Sequence, residues 1–233
     1  MGDQPGAGDF GIVDPQDLQP LALKDYFLAY LSDDPEKAVQ HYAAVHPEVA
    51  ERVQRYLDHL QVQRILQTRY PATRADQLLP YYFKRTTWDL KNEVRDGLVA
   101  CGAVAGGKLV PIFRDPQHRD LRQDIILLWS EVKYADAAPI LIDLLSEHDQ
   151  FWAAQVLDKD WWNSNSSSES DLTRQRRQNY GEVYYAVCAL RAFRDPKAKE
   201  VIERTKQRWE TIDFENKQIV EACDAALKAL PGE

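Results

Sequence analysis

The sequence predicts an all-α protein, an α-solenoid of stacked antiparallel helix pairs with an N-terminal helical segment in front of it. Three observations predict this fold class. One helix-pair pattern occurs three times within residues 98–202, apolar residues recur at helical spacing along the chain, and no segment alternates apolar and polar residues as a half-buried strand would. A single helix pair cannot bury its apolar face alone, so the repeat implies that neighbouring pairs stack.

The three copies align without gaps as residues 101–113, 129–141 and 190–202. In each copy the pattern predicts the end of one helix, a short turn and an amphipathic second helix. The coinciding positions are apolar in three cases and hold proline, proline and glutamate in the fourth: Val104/Val132/Phe193, Leu109/Ala137/Ala198, Ile112/Ile140/Val201 and Pro111/Pro139/Glu200.

The chain before the repeats is also predicted to be helical. Pro35 follows a Ser-Asp-Asp run as a helix start. Tyr70-Pro71 ends a helix, because the residue before proline is disfavoured in the α conformation. Pro80 interrupts the segment after it. The predicted helices span residues 17–31, 36–45, 47–68 and, as a bent or short helix, 75–84.

Turn signals divide the repeat region into helices. The pair Gly106-Gly107 predicts a turn, and Asp115-Pro116 and Asp195-Pro196 predict two more. A first helix is predicted to begin near Gln150 and to be interrupted by a serine-rich loop at 158–171. The remaining predicted helices span 88–103, 108–114, 119–132, 137–146, 174–193, 197–209 and 214–230.

The predicted organisation has three parts. Residues 1–16 are rich in Gly, Pro and Asp and lack the basic and apolar regions of a signal peptide, so we expect a disordered leader. Residues 17–92 form an N-terminal helical segment that continues into the array. Residues 93–230 carry the repeats, with the loop at 158–171 inserted.

Composition and charge narrow the classes of partner. The net charge of −8 disfavours nucleic acid and anionic membranes as partners, since both are bound through basic surfaces. No apolar run approaches the ~18 residues needed to span a bilayer, so no membrane is expected. The cysteines Cys101, Cys188 and Cys223 are odd in number and widely spaced, which indicates no disulfide framework and favours a cytoplasmic location.

Residues 185–202 resemble the HEAT repeat, particularly the short HEAT-like repeats first associated with phycobilisome lyases. In that pattern an apolar helix ends in leucine and a small residue, and an Asp-Pro turn, an alanine and an aliphatic pair follow. Leu190, Asp195-Pro196, Ala198 and Val201-Ile202 match it. The resemblance covers about residues 93–230 and implies an armadillo-type α-solenoid. It leaves the function open, because such arrays serve as scaffolds, adaptors and enzymes.

The interrupted repeat carries the candidate binding residues. Three tryptophans lie within a dozen residues and are followed by three arginines. In one interpretation the tryptophans anchor a partner while the arginines bind a carboxylate or phosphate. In the other the tryptophans cover the apolar edge left by the broken repeat and the arginines are solvated, since aromatic side chains pack more often than they protrude. The candidates are Trp152, Trp161, Trp162, Arg174, Arg176 and Arg177.

The inserted loop also approaches the spacing of a calcium-binding loop. If Asp158 is the first ligand, Asp160 is the third and Glu169 the twelfth. Trp162 stands at the fifth ligand position, however, and Asn163 replaces the glycine of the turn. The sequence therefore predicts no bound metal, with these three acidic residues as the calcium alternative.

Two further resemblances imply an enzyme. Trp161-Trp162-Asn163-Ser164 is similar to the Trp-Trp pair of the DNA alkylation-repair glycosylases, which are themselves HEAT-like. In those enzymes a catalytic aspartate follows closely, whereas Ser166 stands at that place here. The repeat type alone also resembles the pigment lyases. A glycosylase-like or pigment lyase-like enzyme is therefore the alternative function.

The main prediction is a non-catalytic scaffold or adaptor. Its partner would be another protein, bound through the face lined by the second helices and through the Trp-rich inserted loop. No glycine-rich phosphate loop and no recognisable nucleophile–base spacing occurs, so no cofactor and no catalytic residue is predicted.

Overall fold

The computed structural model describes residue 44 and residues 50–84, 88–155, 171–212 and 217–231. All regular structure in these ranges is helical, and they contain no strand, which confirms the predicted all-α class. The predicted leader and, apart from residue 44, the predicted helices at 17–31 and 36–45 lie outside the described residues.

The described part of the chain forms nine α-helices and three short 3-10 helices. The α-helices are α1 (Ala50–Leu66), α2 (Pro71–Phe83), α3 (Trp88–Val99), α4 (Ala103–Arg114), α5 (Arg122–Glu131), α6 (Ala138–Ala153), α7 (Asp171–Phe193), α8 (Lys199–Thr211) and α9 (Gln218–Ala229). The 3-10 helices span Pro116–Leu121, Ala135–Ala137 and Pro196–Ala198.

The chain divides into two compact units between Gly97 and Leu98. In the first unit α1 packs on α2. Pro80 is exposed inside α2, so the helix continues through the proline that was expected to bend or shorten it. The side chains that form the core of this unit are Val62, Ile65, Ala75, Leu78, Leu79, Tyr82, Leu90 and Val94.

The second unit is built around α7. This helix contacts α5, α6 and α9, while α8 contacts α6 and α9. Contacts therefore connect helices that follow one another in the chain, such as α6 and α7, and also helices separated by one other helix, such as α5 and α7. Residues with no exposed surface form the centre of the packing, among them Ile125, Trp129, Leu141, Val187, Leu190 and Ile202.

The second and third copies of the sequence pattern share one turn geometry. Lys133 and Arg194 occupy the same position of the copies, and both have positive φ, at 53° and 56°. Each is followed by a 3-10 helix, and the amide N–H groups of Ala137 and Ala198 donate equivalent hydrogen bonds of 3.1 and 3.0 Å. Left-handed conformation at a residue with a side chain is uncommon, so its recurrence shows that the turns of these two copies are alike.

The turn predicted at Gly106-Gly107 is wrong, because both glycines lie inside α4. The chain turns instead at residues 100–102, where Gly102 has a φ of 59°. Gly106 is needed for packing: a Cβ there would lie 2.4 Å from Cγ of Tyr134, and its carbonyl oxygen accepts a 2.9 Å hydrogen bond from the Trp129 indole. With the turn shifted, Val104 is 42% exposed and departs from the apolar alignment.

The helix start predicted near Gln150 is wrong, because no new helix begins there. α6 continues through this residue to Ala153. No glycine or proline interrupts the segment, and the buried residues Leu145, His148 and Trp152 keep helical spacing across it. The first helix of the third copy is therefore α7.

None of the helices in the described ranges is by itself long and apolar enough to cross a membrane. One pair of consecutive helices, α3 and α4, meets the criteria of length and composition only when the two are counted together.

The two glycines of α4 form a matched pair for testing the Tyr134 contact. Gly107 has only the Tyr134 hydroxyl near its virtual Cβ, at 3.6 Å. We expect Gly106→Ala to lower the free energy of unfolding by about 1–3 kcal/mol through overpacking. Gly107→Ala should leave it unchanged or raise it by up to ~1 kcal/mol through helix propensity. Urea denaturation followed by circular dichroism measures both, and equal effects of the two changes would contradict the assigned packing.

Candidate functional site

The structure describes some of the predicted site residues and not others. Trp161 and Trp162 lie outside the described residues. So do Asp158, Asp160 and Glu169, the calcium alternative. Within the described ranges no group of three or more His, Cys, Asp or Glu side chains is arranged to hold a metal ion.

Trp152 joins three helices in the core of the second unit. Its side chain is almost fully buried on α6, with 3% of its surface exposed. The ring packs edge-to-face on Trp209 of α8 with centroids 4.9 Å apart, and Trp209 packs in the same way on Tyr180 of α7 at 5.2 Å. Trp152 therefore supports helix packing, and little of its surface is exposed.

The three predicted arginines lie on the first turns of α7 but differ in environment. Arg174 is 68% exposed and its guanidinium lies 3.6 Å from the carboxylate of Asp171. Arg176 donates a 3.1 Å hydrogen bond from Nε to Oε1 of Gln155, just beyond the end of α6. Arg177 is half-buried. The three arginines therefore range from well exposed to half-buried and do not share one environment.

A narrow crevice lies where α6, α7 and α8 meet. Its volume is about 170 Å³, including space open to solvent, and it is too tight to hold a water molecule. Ion pairs of Asp149 close its rim: Arg208 donates to Oδ1 at 2.9 Å and Arg204 lies 3.9 Å from Oδ2. The lining residues are Leu145, His148, Asp149, Trp152, Val183, Thr205, Arg208 and Trp209.

A buried ion pair joins α6 to α7 beside this crevice. Nε2 of His148 lies 2.9 Å from Oε2 of Glu182, and these side chains are 6% and 0% exposed. Nη1 of Arg122 on α5 lies 3.8 Å from the same carboxylate oxygen. An ionised carboxylate only accepts hydrogen bonds, so this contact with an ionised Glu182 requires the tautomer in which Nε2 of His148 carries the proton.

Two contacts with Phe113 hold the Arg122 guanidinium close to the Glu182 carboxylate. Its Nε donates a 3.2 Å hydrogen bond to the carbonyl oxygen of Phe113, and its guanidinium lies 5.0 Å from the Phe113 ring centroid. The other oxygen of Glu182, Oε1, is buried and has no hydrogen-bond partner among the described residues. His148 and Arg122 are therefore the two side chains that face Oε2 of Glu182 in this part of the structure.

Sequence reasoning missed this pair because its members lie far apart in the chain. A local signal was nevertheless present. Glu182 falls among the buried positions of α7 together with Val183, Ala186 and Leu190, where a charged residue requires a partner. Nothing in the sequence identifies His148 as that partner.

The cysteines are all free thiols. Cys101 and Cys223 are buried, and Cys188 is half-buried. Burial raises the pKa of Cys223 to about 12, and burial likewise raises the pKa of Cys188. Both groups therefore remain protonated, and weak as nucleophiles, at neutral pH.

No protein-family model, curated protein or solved structure matches this chain.

The His148–Glu182 pair can be tested by a double-mutant cycle. His148→Leu leaves the buried carboxylate with Arg122 alone, and we expect a loss of about 3–5 kcal/mol in the free energy of unfolding. Adding Glu182→Leu removes the uncompensated charge and should recover most of this loss. Glu147→Leu, an exposed change on the same helix, should cost no more than about 0.5 kcal/mol. Additive losses in urea melts would contradict the coupling.

Proposed function

We propose that the second unit is a HEAT-like α-solenoid that acts as a non-catalytic scaffold or adaptor and binds a protein partner. The observation that carries the proposal is the recurrence of one helix-pair geometry. The positive-φ residues Lys133 and Arg194, the 3-10 helices after them and the starts of α6 and α8 all fall at equivalent positions of two copies. Repeated pairs of this kind stack into extended binding surfaces.

The helix contacts support the same proposal. In a solenoid of helix pairs, first helices stack on first helices and second helices on second helices. Here α7 contacts α5 and α9, and α8 contacts α6. The second helices α6 and α8 present exposed polar side chains on their outer sides, among them Asp143, Glu147, Glu203 and Gln207.

The buried polar groups favour binding over catalysis. A general base must reach the proton that it abstracts. His148 and Glu182 are instead enclosed by helices, and the crevice beside them is too tight for a water molecule. Their contact orders the core, so recognition is assigned to the outer surfaces. The three cysteines are free thiols, as is usual in a reducing compartment, and we propose a cytoplasmic location.

The experiment that tests this function is capture of a partner. The tagged full-length chain is used to capture proteins from extracts of its source cells, and the retained proteins are identified by mass spectrometry. We expect one protein or complex to be retained reproducibly and to rebind when purified. If no purified candidate binds the chain, the proposed function is wrong.

The role of the inserted loop is tested by Trp161→Ala/Trp162→Ala. The proposed function includes both tryptophans as anchors for the partner. In that case the free energy of partner binding should weaken by at least ~2 kcal/mol, while the melting temperature is unchanged. A loss of several kcal/mol of stability, with new binding of an apolar dye, would assign the tryptophans to packing. Deleting residues 163–170 with a short glycine linker is the matched control, and it should leave thermal stability nearly unchanged.

A further inference from the structure

The side of α7 opposite its buried face carries a row of residues that are exposed or half-buried, and the Gln123 side chain of α5 lies over this row at Gly181. The residues of the row follow one another at intervals of three or four, so they lie on one side of the helix. Arg174 and Arg191, at the two ends of this row, are exposed, and the other four residues of the row are half-buried. We call this set the α7 strip: Arg174, Arg177, Gly181, Tyr184, Cys188 and Arg191.

Contacts within the α7 strip hold its centre in place. The rings of Tyr184 and Tyr185 pack edge-to-face with centroids 5.3 Å apart, one helical turn before Cys188. Gln123 lies directly over Gly181, where a Cβ would come within 2.5 Å of the Gln123 amide nitrogen. The aromatic centre of the strip is thus ordered before any partner arrives, which lowers the entropic cost of binding.

The charge of the strip is opposite to that of the chain. Three arginines lie on it, with Asp171 as an ion-pair partner of Arg174 at 3.6 Å, whereas the whole chain carries a net charge of −8. The Arg174–Asp171 pair is almost fully solvated, since the Asp171 side chain is 100% exposed. Such a surface pair contributes little, so Arg174 can exchange it for another carboxylate.

We propose that the α7 strip binds an acidic segment of the partner protein, with carboxylates near both ends and an apolar or aromatic centre. The proposal rests on the proposed function. Arg177 and Arg191 are 14 positions apart, which is about 21 Å along a helix. Arginine pairs with carboxylates through two parallel hydrogen bonds, and tyrosine and arginine are the side chains that most often dominate binding energy at interfaces.

The spacing of the arginines favours a protein segment over nucleic acid. A nucleic-acid strand carries a phosphate at every nucleotide and is bound by basic groups that follow it. In the α7 strip no cationic residue lies between Arg177 and Arg191, and Tyr184 occupies the middle. A strand laid along the strip would leave its central phosphates without counterions.

The direct test uses a synthetic peptide as the probe. It has about 16 residues, ~24 Å as a helix, with paired glutamates at each end and leucine and phenylalanine between them. A second peptide has lysines in place of the glutamates. Fluorescence anisotropy should show that the full chain binds the first peptide and not the second, with affinity falling as salt is raised. Equal binding of both peptides would overturn the proposal.

Variants locate the binding. Arg174→Glu/Arg191→Glu should weaken the glutamate peptide by at least about tenfold, because attraction at both ends becomes repulsion. Tyr184→Ala should weaken it at least about fivefold. The control Lys197→Glu/Lys228→Glu makes the same change in net charge at exposed positions outside the strip and should change affinity less than about twofold. Equal losses in both double variants would overturn the assignment.

Thermal melts verify folding, and Arg174→Gln/Arg191→Gln replaces the glutamate variant if that one unfolds.

Two further outcomes separate this proposal from neighbouring ones. If poly(U) binds the chain and Arg174→Glu/Arg191→Glu abolishes that binding, the strip is a nucleic-acid surface and the proposal fails. If the purified partner is retained equally by this variant and by the parent chain, the strip proposal fails while the proposed function stands. If the parent chain retains no partner, the proposed function itself fails, whatever the peptides show.

Discussion

The packing of the second unit has to accommodate one buried polar interaction, the contact of His148 with Glu182. It joins α6 to α7, and Arg122 extends it to α5, so three helices meet at one carboxylate. A buried charge is tolerated only where partners compensate it, and the partners here come from elements far apart in sequence. This requirement agrees with the rotation that the apolar positions of α7 favour: Glu182, Ala186 and Leu190 face the core, while Arg174 and Arg191 are exposed and Tyr184 is half-buried.

The sequence was informative wherever apolar spacing and turn residues agree. Asp115-Pro116 and Asp195-Pro196 form turns as predicted, and each aspartate accepts a 2.9 Å hydrogen bond from the amide two residues later. Local signals of this kind need no knowledge of the rest of the molecule. Gly106-Gly107 shows the limit: a glycine pair marks either a turn or a close approach, and only the position of Tyr134 decides which.

The candidate site was less predictable than the fold. Trp152 was chosen because tryptophans cluster near it in the sequence, yet a cluster in sequence does not say which way each ring points, and Trp152 packs on Trp209, 57 positions away. His148 and Glu182 are separated by 34 positions and share no motif. Pairings between distant helices follow from tertiary packing, which a periodic pattern constrains to a face but not to a partner.

The packing that encloses Glu182 also decides which side of α7 is left for a partner. α7 is the longest helix described, and its inward side is committed to α5, α6 and α9. Its outward side is left partly exposed, and the rotation that buries Glu182 also sets which residues occupy that side. The positive strip of α7 in an otherwise acidic chain is therefore a consequence of the same rotation that buries the ion pair. If the α7 strip binds an acidic segment as proposed, the negative charge of the remaining surface would repel an extended polyanion more than a short segment, which would favour the short one.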